Sequence, residues 1–211
     1  FLGSSCIYPV DAEQPFKENS LFGGKLEATN EPYALAKLSG VKLVQSYASQ
    51  YGRRWFSVIP SNIYGPGDNF DPNSGHVLAS LIRKFWEASK CGQTSVTLWG
   101  DGSPLREFTF VDDLAAGIVC ALDVYSQTDP INIASGEEIS ILELAKMVSK
   151  ASNFLGEIVF DSSRPNGINR KIQDSTRIME LGWKPAVKLD LGVERTYSWF
   201  ENAASQGLAR L

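Results

Sequence analysis

The stretch Asn30-Glu31-Pro32-Tyr33-Ala34-Leu35-Ala36-Lys37 opens a run of helix-forming residues that ends near Gly52. Asn is a favoured N-cap, Pro is tolerated in the first helical turn, and Gly often ends a helix. On this helix Tyr33 and Lys37 are separated by four positions, so they share one face. Short apolar or β-branched runs stand on both sides of the helix, which favours an α/β fold.

The alternation of apolar runs and helical patterns continues along the chain. We predict a strand that ends at Phe1-Leu2, strands over 55–59, 96–99, 108–111, 131–134 and 158–160, and further helices over 76–89, 112–122, from Ser140 onward and from Asp190 to Phe200. The pattern predicts part of a Rossmann domain, a doubly wound parallel sheet, with a smaller interleaved substrate domain. We assign residues 1–70 and 108–136 to the sheet and 71–107 and 137–211 to the substrate domain.

The chain opens on an apolar strand end, Phe1-Leu2-Gly3, without an initiator methionine. A dinucleotide-binding domain carries a Gly-rich turn after its first strand, and none of the usual Gly-rich patterns occurs in the 211 residues. We therefore expect the Gly-rich part of the cofactor domain to lie outside this sequence.

Composition excludes several classes of function. With 24 acidic and 20 basic residues and no basic run, the chain is not expected to bind nucleic acid. Three scattered cysteines and one histidine lack metal-ligand spacing and predict no metal site and a reducing compartment. No apolar stretch is long enough for a membrane span, and no leader precedes the first residues, so we expect a soluble cytoplasmic protein without a membrane partner.

Ser4, Tyr33 and Lys37 form a chemically meaningful trio. Ser4 follows a predicted strand end, where ligands bind in open α/β sheets. A carbonyl oxygen that gains charge as a nicotinamide delivers hydride needs a proton, and a phenol can supply it. Because a nearby ammonium favours phenolate, Lys37 suits Tyr33 to this task. The trio predicts a nicotinamide-dependent oxidoreductase.

Longer motifs make the resemblance specific. They are Phe1-Leu2-Gly3-Ser4-Ser5-Cys6-Ile7-Tyr8-Pro9, Glu27-Ala28-Thr29-Asn30-Glu31-Pro32-Tyr33, Asn62-Ile63-Tyr64-Gly65-Pro66-Gly67-Asp68-Asn69-Phe70, Gly75-His76-Val77 and Leu105-Arg106-Glu107-Phe108. With these motifs the chain resembles the extended short-chain dehydrogenases/reductases, and within them the GDP-L-fucose synthase family.

The resemblance implies a reaction and its catalytic residues. The family inverts GDP-4-keto-6-deoxy-D-mannose at C3 and C5 and then reduces C4 with NADPH. Both inverted carbons flank the C4 ketone, so one oxyanion site serves all three steps. The implied catalytic residues are Ser4, Cys6, Tyr33, Lys37 and His76, with Cys6 and His76 as the acid and base of inversion. Which of these two is the base stays open.

The resemblance also implies binding residues and partners. Around NADPH we expect Leu2, Gly3, Ser4, Ser5, Lys37, Pro60, Ser61, Asn62, Ile63 and His76. Around the GDP-sugar we expect Lys84, Trp99, Arg106 and Asn166. Two positions depart from the family pattern, since Lys84 stands where Arg is frequent and Asn166 where Asp is usual. A homodimer is expected. The preference for NADPH over NADH is implied by the family alone.

Two alternatives remain open. Another sugar-nucleotide enzyme of the superfamily, such as a C4 epimerase or a 4,6-dehydratase, would share Tyr33 and Lys37, but a dehydratase is expected to carry an acidic pair where Cys6-Ile7 stands. The second alternative is from a different class of function: a non-catalytic protein that uses the fold to bind nucleotides or partners.

Overall fold

The computed structural model of the chain describes residues 1–71, 74–164 and 166–209, so Pro165 of the loop before Asn166 lies outside the described residues. The chain forms two compact units, each assembled from three stretches. Unit 1 comprises 1–63, 107–138 and 171–186, and unit 2 comprises 64–106, 139–170 and 187–211. The α/β fold class and its parallel strand pairing are confirmed.

Helices and strands alternate along the sequence. The helices are α1 (Glu31–Tyr51), α2 (Val77–Lys90), α3 (Val111–Val124), α4 (Ile141–Ala151), α5 (Thr176–Glu180) and α6 (Leu189–Ser205). The strands are β1 (Val58–Pro60), β2 (Asn62–Tyr64), β3 (Ser95–Trp99), β4 (Leu105–Phe110), β5 (Ile131–Ile133), β6 (Glu138–Ser140), β7 (Glu157–Asp161) and β8 (Arg170–Lys171).

Unit 1 is built around three adjacent parallel segments. Val58 of β1 pairs with Leu2 on one side and with Ile131 of β5 on the other. Helix α1 ends at Gly52, whose φ of 61° is the left-handed conformation that glycine adopts readily. Two apolar clusters flank these segments, one around Phe56, Val58, Leu114, Ile131, Ile133, Ile178 and Trp183 and the other around Ile7, Tyr8, Phe16, Val41 and Ile59.

Residues 171–186 join unit 1 although their sequence position predicted the substrate domain. The physical reason is apolar burial, because Ile178 and Trp183 are almost fully buried in the first of these clusters. The Trp183 indole N–H also donates to the carbonyl of Asp113 at 3.0 Å. The segment is therefore integral to the sheet unit.

Unit 2 packs helices α2, α4 and α6 near a parallel pair, β3 and β7. Its core contains Phe70 and Phe200 with ring centres 4.3 Å apart, and Phe85 and Phe154 at 5.5 Å. Ser140 caps α4, accepting the N–H of Glu143 at 3.1 Å, as predicted. The remaining sheet has the order β2-β4-β6, with β8 paired to β4.

Candidate active site

The first strand end places the predicted serines. Gly3 donates its N–H to the carbonyl of Val58 at 2.8 Å, which continues the parallel pairing to the end of the segment. Ser4 is extended, with φ −160°, and caps a 3₁₀ turn over Ser5–Ile7. Its Oγ accepts the N–H of Cys6 at 3.3 Å. Ser4 and Cys6 are thus held on one short turn at the carboxyl end of a parallel strand.

Helix α1 brings the second part of the trio to the same strand. Lys37 Nζ donates to the carbonyl of Leu2 at 3.0 Å. The same ammonium lies 5.8 Å from the centre of the Tyr33 ring, and Tyr33 is half exposed. The structure therefore joins Tyr33 and Lys37 on α1 to the strand end that carries Ser4.

The predicted cofactor residues Pro60, Ser61, Asn62 and Ile63 do not form a loop but run from β1 into β2, with Ser61 alone between the two strands. Ser61 is buried, and its Oγ lies 2.7 Å from the hydroxyl of Thr109. The Asn62 amide donates to the carbonyl of Glu107 at 2.8 Å. Both side chains are thus engaged in hydrogen bonds to β4.

The donor set of unit 1 fits a nicotinamide ribose. Adjacent parallel strands end at Gly3 and at Pro60, the place where dinucleotides bind in open sheets. A lysine ammonium carries three N–H donors, and Leu2 accepts one from Lys37. The remaining N–H donors of Lys37 suit ribose hydroxyls, and the phenol of Tyr33 suits a carbonyl oxygen.

Cys6 has a charged neighbour that the sequence did not assign to it. Lys171 Nζ lies 3.4 Å from Cys6 Sγ, in hydrogen-bond geometry. Its position in β8 next to a cysteine 165 residues away has no local sequence signal.

Glu107 is a buried carboxyl that sequence reasoning missed. Its side chain is fully buried, and it accepts the N–H of Gly136 at 2.6 Å and of Gln173 at 3.1 Å. Burial raises the pKa of Glu107 to about 7, although the two N–H donors oppose the shift. The available signal was its position in β4, directly before the largely apolar stretch Phe108-Thr109-Phe110.

His76 lies in unit 2, at the residue before α2, and is exposed. Asp68 is its electrostatic neighbour. Burial raises the pKa of Asp68, while the N–H of Asn69, which donates at 2.7 Å, and a positive charge on His76 oppose the shift. Asp68 belongs to the quoted Asn62 to Phe70 motif, but no feature of that motif predicts a pairing with His76.

Unit 2 also holds the four residues predicted for the GDP-sugar. Trp99 ends β3 and is 66% exposed, and the guanidinium of Arg164 lies 5.3 Å from its ring centre. Asn166 accepts the N–H of Asp101 at 2.9 Å, so its carbonyl oxygen stabilises the turn after β3. Lys84 is exposed on α2, and partly buried Arg106 donates to the carbonyl of Leu105 at 2.8 Å.

Two searches of the described residues were negative. Among residues 1–71, 74–164 and 166–209, no group of three or more His, Cys, Asp or Glu side chains could hold a metal ion. No helix in the same part of the chain is long and apolar enough to cross a membrane.

Known proteins match both the sequence and the fold. The model of the NAD dependent epimerase/dehydratase family matches residues 1–134, which is more than half of the 211 residues. The chain belongs to this family. The family prediction made from the motifs is confirmed, and the trio of Ser4, Tyr33 and Lys37 lies within the matched part.

Two similar proteins carry the name GDP-L-fucose synthase. The chain is 51% identical over 206 residues to "Probable GDP-L-fucose synthase 1" of Oryza sativa subsp. japonica, covering 97% of this chain and 63% of that protein. It is 46% identical over 209 residues to GDP-L-fucose synthase of Escherichia coli (strain K12), covering 95% and 65%. It therefore spans less than two thirds of either relative.

A solved structure shows the same epimerase/dehydratase fold. It is the GDP-L-fucose synthetase from Naegleria fowleri bound to NADP, with a TM-score of 0.92 and 31% sequence identity. The match covers 100% of this chain and 67% of the Naegleria protein.

Proposed function

We propose that the protein containing this chain is a GDP-L-fucose synthase, which inverts GDP-4-keto-6-deoxy-D-mannose at C3 and C5 and reduces its C4 ketone with NADPH. The observation that carries the proposal is the position of Cys6 on the same turn as Ser4. A simple ketone reductase needs the Ser, Tyr and Lys trio alone. Inversion beside the ketone needs a further proton-exchanging group close to the same oxygen. The similarity to rice and Escherichia coli relatives of that name supports the same reading.

The trio serves the reduction. Bound NADPH supplies hydride to C4, and the carbonyl oxygen that gains charge takes a proton from the Tyr33 phenol. Ser4 donates a hydrogen bond to that oxygen and orients it toward Tyr33. Lys37 favours the phenolate that remains and is itself oriented by its hydrogen bond to Leu2.

The same oxygen supports the inversions. Removal of a proton from C3 or C5 leaves an enolate whose oxygen is at C4, so Ser4 and Tyr33 stabilise it as they stabilise the reduction. Inversion requires a base on one face of the sugar and an acid on the other. We assign these roles to Cys6 and His76 as a pair, because a thiol and an imidazole both exchange protons near neutral pH.

Binding residues divide according to chemistry. For the cofactor we propose Leu2, Gly3, Ser4, Ser5, Lys37, Pro60, Ser61, Asn62, Ile63 and His76. For the GDP-sugar we propose Arg106 as a diphosphate ligand, because its planar guanidinium matches phosphate oxygens, together with Lys84, Trp99 and Asn166. NADP in the related Naegleria structure supports the choice of cofactor.

We further propose a cytoplasmic homodimer. Three of the large apolar residues of α1 that remain exposed follow one another at intervals of four positions, at Leu43, Tyr47 and Tyr51. Such a stripe on one helix face is the usual form of a packing surface, and a second copy of α1 matches its chemistry and length.

Product analysis tests the proposed activity. The whole gene product that contains these residues is incubated with GDP-4-keto-6-deoxy-D-mannose and NADPH, and the sugar nucleotide is identified by NMR. GDP-L-fucose is expected. A 6-deoxyhexose with unchanged C3 and C5 would mean a reductase without inversion and would refute the proposal, as would the absence of any product.

A further inference from the structure

A charged group beside the Cys6 sulfur comes from a distant part of the sequence. Lys171 Nζ donates to Cys6 Sγ at 3.4 Å, within the limit for a hydrogen bond to sulfur. Both side chains are partly buried, and both residues belong to unit 1. An ammonium in a partly buried position loses hydration, so its contact with a polarisable sulfur is a specific interaction rather than a chance approach in solvent.

The backbone beside Lys171 is fixed by the N-terminal segment. Ile172 donates its N–H to the side-chain oxygen of Gln14 at 3.0 Å, and its carbonyl accepts the N–H of Phe16 at 2.9 Å. Asp174 then donates to the carbonyl of Phe16 at 2.9 Å. These three bonds set the register of the segment that follows Lys171.

Buried polar groups fix the same segment from its other side. Gln173 is 3% exposed, and its N–H donates to the carboxylate of Glu107 at 3.1 Å. Its side-chain amide donates to the carbonyl of Ile59 at 3.1 Å and to Asn132 Oδ1 at 2.9 Å. Since buried hydrogen bonds of this kind are costly to break, the backbone that carries Lys171 has little freedom.

We propose that Lys171 is a positioning residue for Cys6, which holds Sγ in place and favours its thiolate form for proton exchange with the sugar. The inference rests on the proposed function, since it specifies how one of its two proton-exchanging residues is prepared. A lysine beside a cysteine stabilises the thiolate, the form that accepts a proton. The ammonium also supplies N–H donors that fix the direction of the sulfur.

The test uses three variants of the intact gene product. Lys171→Met keeps the aliphatic stem and removes the charge, whereas Lys171→Arg keeps a cationic donor. Lys184→Met is the matched control, because Lys184 is an exposed lysine of the same unit. The first readout is the rate of Cys6 alkylation by iodoacetamide at pH 7, followed by peptide mass spectrometry. Exposed Cys91 serves as an internal reference in every sample.

Lys171→Met is expected to slow alkylation of Cys6 by about tenfold, because the thiolate is the reactive form. Lys171→Arg should restore most of the rate, and Lys184→Met and the Cys91 reference should not change. The second readout is deuterium exchange at C3 and C5 of the keto-sugar, which should fall in parallel for Lys171→Met.

Failure of the two proposals can be told apart. Unchanged Cys6 alkylation in Lys171→Met, with circular dichroism that matches the parent protein, would overturn the role of Lys171. An equal loss in Lys171→Arg and Lys171→Met would do the same, because a charge partner should be rescued by Arg. If the parent protein exchanges no deuterium although alkylation depends on Lys171, the proposed function fails while the contact between Lys171 and Cys6 stands.

Discussion

Tyr33 and Lys37 lie one helical turn apart on α1, with the Lys37 ammonium 5.8 Å from the Tyr33 ring centre and hydrogen-bonded to the Leu2 carbonyl. The hydrogen bond connects α1 to the strand end that carries Gly3 and Ser4. Any change to the phenol can therefore remove a proton donor without removing the bond that links these two elements.

Tyr33→Phe is expected to slow reduction far more than proton exchange beside the ketone, because Ser4 still stabilises the enolate oxygen. The phenol delivers the proton that accompanies hydride transfer, and loss of a general acid lowers such rates by about 100-fold or more. NADPH oxidation, followed at 340 nm, should fall by that factor, with deuterium exchange at C3 and C5 reduced much less. Equal loss of both activities in Tyr33→Phe would contradict the separation.

Cys6→Ser and His76→Asn are expected to act on the other half of the reaction. Each removes one of the two groups assigned to inversion, so exchange of solvent deuterium into C3 and C5 should fall by about 100-fold or more. NMR of the keto-sugar without NADPH measures exchange independently of reduction. Cys91→Ser, at an exposed cysteine of unit 2, should exchange at the parent rate. If both test variants exchanged deuterium at the parent rate, the assignment of Cys6 and His76 to inversion would be refuted, and the protein would be interpreted as a reductase only.

Glu107 gives stability a pH dependence whose sign follows from its raised pKa. The folded-state pKa is about 7 against an ordinary 4.5, so the folded protein holds the proton more tightly than the unfolded chain. The carboxyl therefore contributes its full stability at low pH and loses it as the pH rises from about 4.5 to about 7. The difference in pKa corresponds to about 3 kcal/mol at most.

Glu107→Gln should remove this part of the pH dependence. Urea unfolding at several pH values between 5 and 8 gives the free energy of unfolding, and the variant should show a shallower decline than the parent across this range. Glu180→Gln, at an exposed carboxyl of unit 1, should keep the parental slope. A parental slope in Glu107→Gln would mean that the buried carboxyl does not titrate in this range.

Ser140→Ala should destabilise the protein through α4. Ser140 Oγ accepts the N–H of Glu143 at 3.1 Å, and removal of such a cap costs about 1 kcal/mol. Ser46→Ala is the matched control, because the Ser46 hydroxyl bonds only within α1 to the carbonyl of Lys42. Thermal unfolding should show a lower midpoint for Ser140→Ala alone, and equal midpoints would contradict the assignment of the cap.

Long helices and their ends could be predicted because their signals are local. Asn30, Pro32 and Gly52 predicted α1 to within one residue at each end, and Ser140 caps α4 as expected. By contrast, the two- and three-residue strands β2, β6 and β8 were missed. Unlike β1 and β5, which are equally short, they lie in polar sequence without an apolar run, and a distant partner strand supplies their hydrogen bonds.

The candidate site divides in a similar way. Ser4, Tyr33 and Lys37 could be proposed from the sequence because their order and spacing match a known catalytic motif. Lys171 and Glu107 could not be given their roles, since each acts on residues that are far away in the chain. Asn132 carries a partial signal for a buried hydrogen bond. It stands in β5 between two isoleucines that are fully buried, and a polar residue in such a position needs a partner in the core. The sequence does not identify that partner as Gln173.

The interleaving of the two units has a consequence for synthesis on the ribosome. Unit 1 needs residues 171–186, so it cannot be completed until most of the 211 residues have been made. At about 5–20 residues per second, the earlier stretches of unit 1 wait several seconds for Ile178 and Trp183 to cover their apolar surface. A premature stop codon before residue 171 would therefore leave both units unfinished and exposed to chaperones and proteases.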